Sequence, residues 1–288
     1  MPKSAKLQVS TRRRVMNWLG LGAITLATLV VTVPLFLILG TVIYHGIGGL
    51  NWAFFTQMPK PPGEVGGGMA NALVGSGIIL MVASAIGIPF GIGTGIFLAE
   101  YGRNVYGDVV RFTADVLNGV PSIVIGITAY ALVVITQRHF SALSGGVALG
   151  IMMVPTVGRT TEAVLLMVPQ SVREAALGLG IPQWRTTLSV VVRTAMSGIV
   201  TGIMLAFARI AGETAPLMFT AFGNQFWNTN LNEPTAALPL QIYVYALGPF
   251  DEWHRLAWTG AFVLIALIAI TMILFRFATS RGVMRETT

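Results

Sequence analysis

The 288-residue chain has no cysteine, so disulfides, thiolate metal sites and a cysteine nucleophile are all excluded. Lysine is almost as scarce: Lys3, Lys6 and Lys60 are the full set, and none follows a glycine. A phosphate-cradling P-loop needs a Gly-Lys pair whose lysine reaches the phosphates, so this chain is not itself expected to hydrolyse ATP and should bind no cofactor. The three histidines, His45, His139 and His254, lie near the ends of apolar runs. The DEWH stretch at 251–254 matches no HExxH spacing and reads as a solvated loop rather than a metal site. Ser76 and Ser122 lack the GxSxG setting of a hydrolase nucleophile. Charge as a whole is sparse, 10% of residues against roughly 25% in a soluble domain.

What is abundant is apolar surface. The composition is 54% hydrophobic and the mean hydropathy is +0.75, which marks a polytopic membrane protein. Crossing a bilayer takes about 20 apolar residues, and six runs qualify: 18–44, 71–99, 112–136, 145–168, 188–213 and 256–277. All six should be helices, because lipid cannot satisfy exposed backbone polar groups, so the fold class is all-α. Pro34, Pro89, Pro121 and Pro155 fall within these runs and fit bends supported by neighbouring helices. The first run follows Arg12, Arg13 and Arg14 but far exceeds the core of a cleaved signal, so it reads as a retained span.

The net charge of +7 could suggest nucleic acid, but the positive residues cluster at the ends of the apolar runs. With the N-terminus inside, thirteen Lys and Arg fall on the inner side and three on the outer, with Arg159 and Arg209 inside spans. Positive residues accumulate on the cytoplasmic side, which makes both termini cytoplasmic. The layout is then a cytoplasmic segment 1–17, a first transmembrane helix 18–44, an outer loop 45–70, a core of five transmembrane helices at 71–277 and a cytoplasmic tail 278–288. Loop 45–70 carries PKPPGEVGGG and should be a turn-rich surface segment. The apolar LPLQIYVYAL of outer loop 214–255 is too short to cross and should lie in the interface or re-enter. Gly87, Gly91 and Gly95 recur at every fourth position, as do the pairs Gly146 with Gly150 and Gly198 with Gly202. That spacing predicts close helix packing inside a bundle.

Two places carry chemistry. In LAFARIAGETAPL, residues 205–217, Arg209 and Glu213 stand four apart near the end of a span. On a continuing helix they share a face. Arg209 lies about 24 Å beyond Arg193 at 1.5 Å per residue, deep in the outer half of the membrane. Intramembrane ionisable residues face a cavity or a partner, and a paired Arg and Glu nearly cancel. The expectation is a translocation face on which Arg209 attracts an oxyanion and Glu213 tunes that attraction. Arg159 and Glu162 should form inter-helix ion pairs or snorkel to the inner surface, and Asp108 and Asp115 should be solvated.

The second place is the inner loop VPQSVREAALGLGIPQWRTT. Ser171 and Glu174 have capping-box spacing, Gly180 marks a helix end, and Pro182 suits the first turn of a second short helix. Glu174, Ala175, Ala176 and Gly180, in a loop at 169–187 before the penultimate span, resemble the EAA loop of ABC importer permeases. The family pattern often closes on an aliphatic residue and proline, where this chain has Val192 and Arg193. The stretches RIAGETAPLMFTA, GLNWAFFTQMPKPPGEVGGGMANALVGSG and GIPFGIGTGIFLAEYG extend the likeness to the permease subunits of phosphate ABC importers, from about Gly46 to Phe277.

That resemblance implies the type I ABC importer permease fold in a bacterial inner membrane. It implies a homologous permease subunit, two ATP-binding subunits that hold ATP and magnesium, and an external phosphate-binding protein as partners. Glu174, Ala175, Ala176 and Gly180 would be the coupling surface for the ATPase. An importer of sulfate or molybdate, or a secondary anion transporter that needs no docking loop, are the alternatives.

Overall fold

A computed structural model of the chain describes residues 10–284, with side chains to residue 277. Lys3, Lys6 and Arg285, counted above for orientation, lie outside the described residues, as does the end of the tail. Among those described the regular structure is helical throughout: α1 Thr11–Ile47, α2 Trp52–Thr56, α3 Ala70–Ile96 with a π turn Phe97–Tyr101, α4 Val105–Gly119, and α5 Ser122–Ala129. A second π turn, Tyr130–Val134, joins α5 to α6 Ile135–Gln137. Then follow α7 Ala142–Leu166, α8 Gln170–Gly178, α9 Gln183–Thr186, a third π turn Thr187–Val191, and α10 Val192–Ala211. The chain closes with α11 Ala215–Met218, α12 Leu238–Ala246 and α13 Asp251–Met284.

Five of these helices are long and apolar enough to cross a membrane, and α4 with α5–α6 makes a sixth span only as a broken one, bent by 105°. The expected span 112–136, with its bend at Pro121, is thus two helices meeting at a sharp break, and the first of them starts earlier, at Val105. The break falls at Val120 and Pro121, both in extended backbone (ψ 135° and 134°). Proline disfavours helical backbone in the residue before it and cannot donate to the preceding turn. Pro34, Pro89 and Pro155 stay inside continuous helices. Polar residues also extend helices past their apolar runs. The first starts at Thr11, inside the segment expected to precede it. The DEWH stretch, expected as loop, forms the first turn of α13, where Asp251 and Glu252 complement the helix dipole.

The centre of the molecule is the α3/α7 pair, and its glycines explain how close the two lie. A Cβ on Gly87, Gly91 or Gly95 would come within 2.6, 2.6 and 2.5 Å of Met153, Val157 and Thr161 of α7. In return, Gly146 and Gly150 receive Val82 and Ile86 of α3. Gly198 and Gly202 of α10 seat Val164 and Thr160 in the same manner, so one rule packs three spans. Gly91→Ala should destabilise the fold by about 1–3 kcal/mol through overpacking. The check is the unfolding temperature of the detergent-solubilised protein; an unchanged midpoint would refute close contact at this seam.

Residues 60–65 of loop 45–70 form the expected exposed turns, but both ends of the loop are anchored in the core. Asn51 caps α2 by accepting from the Phe54 N–H at 2.8 Å, and Phe54 and Met69 are fully buried with Leu238, Tyr245, Leu256 and Val263. α12, the nine-residue apolar segment of the second loop, packs on α13 and α3, and Ser76 Oγ accepts from the Leu238 N–H at 2.7 Å. It lies alongside the bundle rather than crossing it.

Candidate functional site

Spacing of three and four residues puts Asp108, Arg111, Asp115 and Asn118 on one face of α4. Thr156, Arg159 and Glu162 occupy the facing stripe of α7 at intervals of three. The two rows interlock. Arg159 donates from Nε to Asp115 Oδ1 at 3.0 Å and from Nη1 to Glu162 Oε2 at 2.5 Å. Arg111 donates from Nε to the other oxygen of Glu162 at 2.6 Å and from Nη1 to Asp108 at 3.1 Å. Glu162 is 4% exposed and held between two guanidinium groups. Such a carboxylate can be buried because both of its oxygens are charge-paired. Arg111 also donates to the backbone carbonyls of Gly102 and Leu98, at 2.9 and 3.0 Å.

The stripe continues away from α8. Thr156 Oγ1 donates to Asn118 Oδ1 at 3.0 Å, and Arg209 Nη1, reaching across from the last turn of α10, stands 3.5 Å from the same threonine oxygen. The Arg209 side chain is otherwise exposed. Arg159 and Glu162 thus ion-pair between helices, one of the two roles expected of them. Asp108 and Asp115 are exposed, as expected, and also join the pairing.

Glu213 is not where helix spacing placed it. α10 ends at Ala211 with Gly212 as its cap, and the Ala215–Pro216 pair opens α11, so Glu213 sits on the connection with its N–H donating to the Ile210 carbonyl at 3.2 Å. Among the described residues no ion pair joins it to Arg209. The expectation of two charges stacked on one helical face is corrected: a helix that stops at glycine cannot carry the next residue round its turn.

The inner loop also departs in detail. α8 begins one residue before the expected cap, with Pro169 at the N-cap and no side-chain capping bond, so the Ser171–Glu174 capping box does not form. Pro182 lies just before α9, and the supposed second short helix runs without a break through the π turn into α10, making one span from Gln183 to Ala211. Gly180 does end α8, at φ 77°, a conformation that suits glycine. Glu174 and Ala175 face outward with Gly180, whereas Ala176 is buried at 6% exposure against the body of the protein.

One pair escaped the sequence reading. Arg173 of α8 donates from Nη2 and Nε to Glu100 Oε1 at 2.9 and 3.2 Å. Its remaining donors cap the end of α7 at the Leu165 and Val168 carbonyls. The two side chains are only 12% and 8% exposed, and they wall a cavity of about 470 Å³ behind α8.

Residues 91–281 match the family model described as "Binding-protein-dependent transport system inner membrane component". The chain belongs to this permease family. The match takes in the polar stripe, α8 and Arg209. Among curated relatives of the family, the phosphate transport system permease protein PstA of Yersinia pestis is 48% identical over 83% of this chain and 81% of its own. The PstA protein of Xylella fastidiosa (strain Temecula1 / ATCC 700964) is 46% identical over 93% of each chain. A chain of the MetNI methionine ABC transporter, solved in an inward-facing conformation, superposes with a TM-score of 0.57 at 16% identity, covering 76% of this chain and 97% of that one. At that identity it shows the fold alone, that of a type I ABC importer permease; the family match and the apolar helices make the chain a multi-pass inner-membrane component.

Proposed function

We propose that this chain is the PstA-type permease subunit of an importer that moves inorganic phosphate inward, driven by ATP hydrolysis on a partner. The observation that carries the reading is the extended identity to PstA proteins, 46% over 93% of each chain in the Xylella relative. The polar stripe ending at Arg209 is chemically suited to that cargo, since a guanidinium presents a planar fork of donors to a tetrahedral oxyanion. The partners would be a homologous PstC-like permease, two PstB-like ATP-binding subunits that hold ATP and magnesium, and an external PstS-like phosphate-binding protein.

The excess of Arg and Lys at the ends of α1 and α13 and around α8 favours cytoplasmic termini, with the layout of segments read from the sequence. Glu174, Ala175, Ala176 and Gly180 would then face the ATPase. Glu174 and Ala175 offer the exposed contact, Ala176 seats the helix, and Gly180 turns the chain back to the membrane. Arg209 and Glu213 would line the outer part of the pathway. Arg209 attracts the anion, and Glu213, on the connection after α10, repels it toward release.

The test is uptake of radiolabelled phosphate at low external phosphate, in cells lacking this chain and in cells where it is restored, with excess sulfate as competitor. Restored, sulfate-resistant, ATP-dependent uptake is expected, and deletion of residues 171–180 should abolish it. Uptake abolished by sulfate would move the cargo to another oxyanion; uptake that survives the deletion would make the chain a secondary transporter.

A further inference from the structure

The π turn Phe97–Tyr101 at the end of α3 is held from two sides by arginines of different helices. From α8, Arg173 binds the Glu100 carboxylate. From α4, Arg111 binds the Leu98 carbonyl within the turn and the Gly102 carbonyl just after it. Arg111 also holds Glu162, and Glu162 holds Arg159 and, through it, Asp115. A continuous run of charge-assisted hydrogen bonds therefore leads from α8 to the polar stripe with this turn as its middle link. π turns are rare and occur frequently at functional sites.

α8 has little else to fix its angle. Ala176 is buried, Val172 is partly buried against the cluster of Ala99, Leu165 and Val191, and most of the remaining residues are exposed. A push on its outer face at Glu174 would be absorbed by rocking unless something behind it is stiff. Arg173 supplies that stiffness, because Nε, Nη1 and Nη2 are all engaged in fixed directions by Glu100 and by the two carbonyls that end α7.

We propose that the π turn Phe97–Tyr101 is the mechanical joint between the docking helix and the polar stripe, and that Arg173 and Glu100 are the positioning pair that makes it rigid. The inference rests on the importer reading above for its transport consequence. Coupling between distant sites needs a connected physical element whose arrangement both ends bias, and this turn meets that description.

The test uses the full four-component complex in liposomes. Glu100→Gln is isosteric and leaves the Arg173 bonds to α7 in place, so assembly and ATP hydrolysis should persist. Phosphate moved per ATP should fall about tenfold, since a neutral acceptor holds a guanidinium far more weakly than a carboxylate does. The absence of native cysteine gives a second readout. Spin labels on Gly178→Cys of α8 and Gly93→Cys of α3, positions with open space around them, report the distance between the helices in complexes whose other subunits lack cysteine. In E100Q that distribution should broaden. Arg103→Gln, which removes a charge at the same cavity but outside the joint, should leave both readouts at wild-type values. Wild-type stoichiometry or a wild-type distance distribution in E100Q overturns the proposal, as does failure of that isosteric variant to assemble, which would make the pair a structural support. A wild-type complex that moves no phosphate would refute the importer reading, while the distance measurement would still decide the joint.

Discussion

Replacing Arg209 with alanine should cut phosphate uptake about a hundredfold or more while the complex still assembles, the loss expected when a bidentate charge-assisted contact disappears. The reason lies in how the arginines of the stripe are engaged. Arg111 and Arg159 are each tied to carboxylates. Among the described residues the Arg209 side chain meets a single neutral hydroxyl, at the outer limit of a hydrogen bond. Its charge therefore remains available to an incoming anion, and its removal leaves no buried partner stranded. Arg209→Lys keeps the charge but loses the fork, and should retain more uptake than alanine and less than wild type. Uptake by initial rate, with complex recovered by affinity purification as the control, separates transport from assembly. Normal uptake by the alanine variant would remove Arg209 from the pathway.

The largest effect on stability is expected at Glu162. Glu162→Ala leaves two partly buried guanidinium groups facing each other without their shared counter-charge, a change worth about 3–5 kcal/mol when one member of a buried pair is lost. The expected result is a sharply lower unfolding midpoint and reduced recovery of folded protein. Glu162→Leu combined with Arg111→Met should be milder than Glu162→Ala alone, because the buried carboxylate and one of its guanidinium partners are replaced together by apolar side chains, Arg159 keeps Asp115, and Asp108, which loses Arg111, is exposed to solvent. A double variant as unstable as the sum of its single changes would show that the two residues act independently.

The helices were legible from hydropathy, and their errors have local causes. Apolar runs locate the membrane-crossing part of a helix but not its polar ends, so α1 and α13 start earlier than their runs. Pro121 was visible, yet one residue type cannot distinguish a supported bend from a 105° break. Gly212 ahead of Thr-Ala-Pro was a readable stop signal for α10, and giving it weight would have detached Glu213 from the helix. Asp108, Arg111, Asp115 and Asn118 repeat at 3, 4 and 3 residues and could have been read as a polar helical face. Their partners on α7 could not, because nothing local says which helices lie side by side. Arg173 and Glu100 are 73 positions apart and share no pattern, so only the folded chain brings them together.

The alternation of the stripe has a consequence for how an anion reaches it. Asp108, Asp115 and Glu162 pair with Arg111 and Arg159, while Arg209 at one end meets only the Thr156 hydroxyl among the described residues; with three carboxylates against three guanidinium groups the row as a whole is neutral, so its potential dies away over a short distance. Ionic screening over about 8 Å at physiological salt would extinguish what little remains. A wall of this kind does not draw phosphate from the bulk by electrostatic steering, and it gives no deep well in which a captured ion would stall. Capture at low external phosphate must then be carried out by a separate receptor that hands its cargo over at short range, and throughput along this wall should be nearly indifferent to ionic strength.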